Sequence, residues 1–145
     1  MEYIAQGEST FMPNATQSGF LSKKAVWTGR VLTGLIAAFL VFDGMIHLMK
    51  PAPVVEAFIR LGFPLSLAVP LGIIEIVCVL LYLVPQTSIL GAILLTGYLG
   101  GAIATQLHSG SPLGEISFPI IMGVIVWAGL YLRDDRLRSL IPLRS

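Results

Sequence analysis

Asp43 and His47 stand four residues apart inside an apolar run that reaches back to Trp27. At helical spacing they share one face, and Lys50 follows about one turn later. A carboxylate beside an imidazole suits proton handling or ligand binding. The competing reading is that His47 and Lys50 only neutralise a buried Asp43 near a membrane interface. A second carboxylate, Glu75, lies near the middle of another apolar run, Leu65–Val84, with Gly72, Cys78, Val79 and Tyr82 on its side of a helical wheel. A protonated glutamic acid donates a hydrogen bond, which suits a carbonyl such as that of a quinone. A structural hydrogen bond to a neighbouring helix is the plainer alternative. Tyr98, Ala102 and Thr105 form a small polar stripe in a third run, with Gln106 at its edge. Ionisable groups at membrane depth are costly and usually face a bundle interior, so Glu75, Asp43, His47, Tyr98 and Gln106 are the candidate ligand-binding or proton-relay residues.

Other chemistries lack support. His47 and His108 together, or either with Asp43 or Glu75, have the donor types for haem or a metal. No HxxxH or HxxE spacing accompanies them, and the expectation is neither haem nor metal. Cys78 is the single cysteine, so the chain forms no internal disulfide or CxxC redox pair and Cys78 reads as a small packing residue. There is no Gly-rich phosphate loop, nucleophile elbow or Walker pattern, and so no self-contained catalytic motif.

The elements that must carry these residues follow from composition. The 145 residues are 55% hydrophobic and 12% charged, with mean hydropathy +0.85. Soluble domains carry about 25% charged residues, and a soluble fold of this size lacks the polar cover for so much apolar surface. This excludes a secreted disulfide scaffold, a disordered chain and an ordinary cytosolic enzyme. A net charge of +1 provides no basic field for nucleic acid.

A membrane-spanning helix needs about 20 mostly apolar residues. Four segments meet or approach this: Trp27–Met49, Leu65–Val84, Ser88–Leu107 and Ile116–Leu132. Pro51 and Pro53, Pro85, and Ser109-Gly110-Ser111-Pro112 separate them. The fold class is an all-α integral membrane protein, a four-transmembrane-helix bundle in a lipid bilayer. Between the first two spans, Val54, Val55, Phe58, Ile59 and Leu61 recur at helical spacing after Pro53. They predict a short amphipathic surface helix over 53–61, with Glu56 and Arg60 as an i,i+4 pair and Gly62 and Pro64 as its stop. Residues 1–24 read as a polar, flexible cytoplasmic tail, leaving 25–145 as the membrane domain. In the third span, Ala92, Thr96, Gly100 and Ala104, beside Gly97 and Gly101, form a small-residue face for close helix packing and a candidate homo-oligomer contact. Trp27, Tyr82, Trp127 and Tyr131 read as an aromatic belt.

Lysine and arginine set the orientation. Lys23, Lys24, Arg30, Arg133, Arg136, Arg138 and Arg144 lie on the side of the termini, and only Lys50 and Arg60 on the other. Both termini are therefore expected in the cytoplasm.

Several stretches together resemble the DoxX-like family of small bacterial four-helix membrane proteins. They are Arg30 with the first apolar run, Phe58-Ile-Arg-Leu-Gly62-Phe-Pro64, Gly72-Ile-Ile-Glu75, Gly97-Tyr98-Leu-Gly100-Gly101-Ala102, and Leu132-Arg-Asp-Asp-Arg136-Leu-Arg138. The resemblance covers roughly residues 26–144. It implies a compact bundle in the bacterial cytoplasmic (inner) membrane and, since the family is named for subunits of a thiosulfate:quinone oxidoreductase, a link to membrane redox complexes. Relatives often carry a Gly-Lys pair late in the first helix, where this chain reads Asp43-Gly44-Met-Ile-His47. The leading expectation is a quinone- or lipophile-binding subunit supporting a redox protein partner. A small proton, ion or solute transporter and a structural membrane partner without a ligand are the alternatives.

Overall fold

The structure, a computed structural model, describes residues 22–140, with side chains through Arg138. The expected tail, up to residue 21, and Arg144 lie outside the described residues. The helices are α1 (Lys23–Met49), α2 (Ala52–Arg60), α3 (Ala68–Leu83), α4 (Ser88–His108), α5 (Leu113–Arg133) and α6 (Asp135–Leu140), with a 3-10 turn at Leu65–Leu67 leading into α3. Four of these stretches are long and apolar enough to cross a membrane: α1, Leu65–Leu83, α4 and α5. At ~1.5 Å per residue, 19 to 21 residues match a hydrocarbon layer of about 30 Å. The chain is a multi-pass membrane protein.

Local signals start and stop each helix. The Ser22 hydroxyl accepts from the Ala25 amide to cap α1, which ends at Lys50 in a left-handed conformation (φ 50°). Pro51 precedes α2, and Gly62 (φ +74°) turns the chain out of it. The surface helix expected over 53–61 is therefore present over 52–60. Its partner differs, however. Arg60 does not pair with Glu56 but reaches across to Glu115 at the start of α5, with Nη1 2.7 Å from Oε1. An interhelical carboxylate in line with the guanidinium wins over an exposed intrahelical neighbour. The last span is also longer than expected. Pro112 ends the preceding turn and α5 begins at once, so Gly114 and Glu115 are helical despite being poor membrane residues.

α1 packs on α3 and α5, and α4 closes the ring by packing on α3 and α5. Short connections make consecutive spans antiparallel. The core between them comprises Ile36, Ala37, Leu40, Cys78, Val79, Tyr82, Leu95, Val126 and Leu130. Leu35, Ile93 and Val124 are among the large apolar residues left on the outside for lipid. A second cluster of Val54, Phe58 and Ala68, with Ile46 and Leu71 against it, fastens α2 to the ends of α1 and α3.

Tyr82 departs from the expected aromatic belt. It is fully buried, its hydroxyl donates to the Val126 carbonyl at 2.8 Å and lies 3.3 Å from the Thr33 hydroxyl. The Arg133 guanidinium lies over its ring and donates to its carbonyl. A phenol with three helices around it finds partners inside the bundle that an interfacial position would not supply.

The small-residue face is also used differently. Ala92 is buried, yet Gly97, Gly100 and Gly101 have no heavy atom within 4 Å of where a Cβ would stand. Close contact between spans occurs instead where α1 crosses α3. A Cβ on Gly72 would meet the Gly44 carbonyl oxygen at 2.6 Å and His47 Cβ at 2.9 Å.

Candidate functional site

That crossing decides what the carboxylates can reach. Gly44 directly follows Asp43, and Gly72 lies one turn before Glu75. With no side chain at either glycine, the backbones approach closely and the polar groups beside them converge. The Glu75 side chain is only 1% exposed, against 21% for His47 and 40% for Asp43. Together they make a gradient from bundle interior toward the surface.

His47 Nδ1 lies 3.6 Å from Asp43 Oδ2 and 3.9 Å from Glu75 Oε2. The same nitrogen donates to the Asp43 carbonyl at 3.0 Å. The donor atoms of Asp43, His47 and Glu75 all lie within 4.8 Å of one another. From the far side, the Tyr98 hydroxyl donates to Glu75 Oε2 at 3.0 Å. Glu75 Oε1 is buried and meets no hydrogen-bond partner among the described residues. Buried polar atoms are normally satisfied, so this oxygen has hydrogen-bonding capacity left over.

Four of the five residues singled out in the sequence thus sit together: Asp43 and His47 from α1, Glu75 from α3 and Tyr98 from α4. Gln106 stands apart from them at the C-terminal end of α4, where its side-chain oxygen accepts from Ser111 and its carbonyl accepts from the Ser109 hydroxyl and Ser111 amide. Ser111 lies beyond the break, and a wheel drawn on α4 alone does not reveal that competitor. Lys50 caps α1 rather than pairing with Asp43; among the described residues His47 is the one basic group in ion-pair contact with either carboxylate. His108 is exposed at the end of α4.

The sequence reading missed two supports. The Phe58 ring packs edge-on against the His47 imidazole at 6.0 Å, and Phe63 packs on Phe58 in turn. The Arg60–Glu115 pair ties the same α2 segment to α5, and Glu115 holds the Arg60 guanidinium above its ordinary pKa. The apolar spacing of Val54 and Phe58 signalled that α2 docks, but not on what. An apolar groove of about 640 Å³ lies elsewhere, between α4 and α5, lined by Thr96, Gly100, Pro119, Gly123 and Trp127 among others. Its α4 residues lie on the side of that helix away from Tyr98.

A family model described as the DoxX-like family matches residues 31–129. The chain belongs to the DoxX-like family. The match begins in α1 and ends within α5, so it takes in Asp43, His47, Glu75 and Tyr98. No curated protein and no solved structure matches the chain. The helical bundle and the family assignment agree.

Proposed function

We propose that this DoxX-like protein is a quinone- or lipophile-binding subunit of a membrane redox complex, with the ligand's polar head at Glu75 and Tyr98. The observation that carries the reading is the Tyr98–Glu75 hydrogen bond at 3.0 Å with a buried, unpartnered Glu75 oxygen beside it. A phenol and a carboxyl group offer a donor and an exchangeable proton to a ligand carbonyl. Asp43 and His47 extend from that pair toward the end of α1, and they suit passage of a proton between the head group and the surface. Solvent extraction of the purified protein followed by mass spectrometry tests this. A quinone recovered from the wild type and depleted in Glu75→Gln supports it, whereas equal recovery from both overturns the assignment of Glu75.

A second reading, proton or cation transport, draws on the unbroken sequence of titratable groups from Glu75 through His47 to Asp43. Flux through reconstituted liposomes distinguishes it. The uncovered glycines Gly97, Gly100 and Gly101 favour a second copy of the chain as neighbour, since small-residue faces let helices approach closely in lipid. In-membrane crosslinking that yields dimers in the wild type and loses them in Gly100→Leu tests that contact. The bacterial inner membrane, with both termini in the cytoplasm, is the proposed location.

A further inference from the structure

The geometry points to a divalent transition-metal site formed by Asp43, His47 and Glu75. One donor atom from each residue lies within 4.8 Å of the others, and the donors come from two different helices. A tetrahedral ion with bonds near 2.1 Å holds its ligand atoms about 3.4 Å apart. Two separations here, 3.6 Å and 3.9 Å from His47 Nδ1, lie within about half an ångström of that, and the third, between the carboxylates, is within 4.8 Å. Binding through Nδ1 exchanges the ring's present bond to the Asp43 carbonyl for a bond to the ion.

Charge gives an independent reason. Once both carboxyl groups have given up their protons to an incoming ion, they and a neutral imidazole carry two negative charges, and His47 is the one basic group in ion-pair contact with either of them among the described residues. An imidazolium balances half of that, while a divalent ion balances all of it. Uncompensated charge away from water is strongly unfavourable. Glu75 adds a third reason, because its side chain is 99% buried with Oε1 unpartnered, as expected of a carboxylate awaiting a ligand.

The donor set selects the ion. Calcium and magnesium take oxygen ligands, and copper(I) favours sulfur, whereas one imidazole with two carboxylates suits Zn²⁺, Mn²⁺ or Fe²⁺. Tyr98 donates to Glu75 Oε2, the oxygen that faces His47 Nδ1, and so fixes the orientation of that carboxylate. Phe58, packed on the imidazole, limits its rotation. Three protein ligands leave a coordination position open, the arrangement of sites that act on a bound molecule. This inference does not depend on a quinone being bound, and its test adds none.

The full chain, reconstituted in lipid nanodiscs and stripped with chelator, is titrated with zinc chloride and with manganese chloride by calorimetry, the manganese form also being followed by electron paramagnetic resonance. A single saturable site in the wild type is expected, weakened at least about tenfold in His47→Ala and in Asp43→Asn. The manganese spectrum should carry a nitrogen coupling that His47→Ala removes, and His108→Ala should leave binding unchanged. Circular dichroism qualifies each variant; Asp43, the most exposed of the three, keeps the test open should His47→Ala misfold. No saturable binding by the wild type, or binding untouched by both Asp43→Asn and His47→Ala, overturns the site.

Discussion

Glu75 and Tyr98 satisfy each other across the α3–α4 contact, and that mutual dependence separates two substitutions at one position. Glu75→Gln keeps an oxygen able to accept from Tyr98, so the fold should persist while ligand or ion binding weakens. Glu75→Leu leaves the phenol without its acceptor, and a buried unpaired hydroxyl costs about 1–3 kcal/mol. Thermal unfolding in detergent, read alongside binding, should show both losses for Leu and only the second for Gln. Tyr82 predicts a different pattern. Its hydroxyl joins α3 to the Val126 carbonyl of α5 and to Thr33 of α1, away from the Asp43–His47–Glu75 group. Tyr82→Phe should lower stability by roughly 1–3 kcal/mol while leaving metal affinity intact. A matching loss of affinity would mean that the two polar networks are coupled.

At the scale of elements, the α1–α3 crossing sets the distance between Asp43, His47 and Glu75. Gly72→Leu would force side-chain atoms into the Gly44 carbonyl and His47 Cβ, so the helices must separate. The expected result is a loss of about 1–3 kcal/mol together with failure of metal binding. Gly97→Leu, which enters open space, should alter neither. The Arg60–Glu115 tie is exposed and therefore weak and screened by salt. The tie needs Glu115 ionised and Arg60 protonated, so it is lost when acid protonates the carboxylate and, at the other end, as pH climbs past the raised pKa of Arg60.

These elements also show what was legible in the chain. The four spans and α2 could be read because apolar runs, prolines and Gly62 report on a helix and its own ends. Asp43 with His47 could be read as a pair because both belong to one helix. Glu75 and Tyr98 could be named as members of one site, but the direct bond between them, the Arg60–Glu115 tie and the burial of Tyr82 could not be read, since each depends on which face a second helix presents. α6 was missed for another reason: it is six residues long, and what starts it is the Asp134 carboxylate accepting from the Arg136 and Leu137 amides. Among its described side chains the buried apolar anchor is Leu137, too little for a periodic signal.

For the whole molecule, four spans place both termini on one face of the membrane, and charge decides which. Within the described residues, Lys23, Lys24 and Arg30 begin α1, while Arg133, Arg136 and Arg138 end α5 and follow it. Lys50 and Arg60 are alone on the opposite face. The excess should hold the termini in the cytoplasm, because translocating basic residues beside a span is disfavoured. The site then lies toward the outer face: Asp43 is six residues from the end of α1, about 9 Å of helix, and α2 covers that end through Phe58. A cysteine-accessibility scan on a Cys78→Ala background tests the arrangement. An impermeant thiol reagent applied to intact spheroplasts should label Glu56→Cys, on exposed α2, and spare Ser22→Cys and Ser139→Cys until the membrane is broken. Labelling with the opposite pattern would reverse the topology, and Asp43 and His47 would then exchange protons or ions with the cytoplasm.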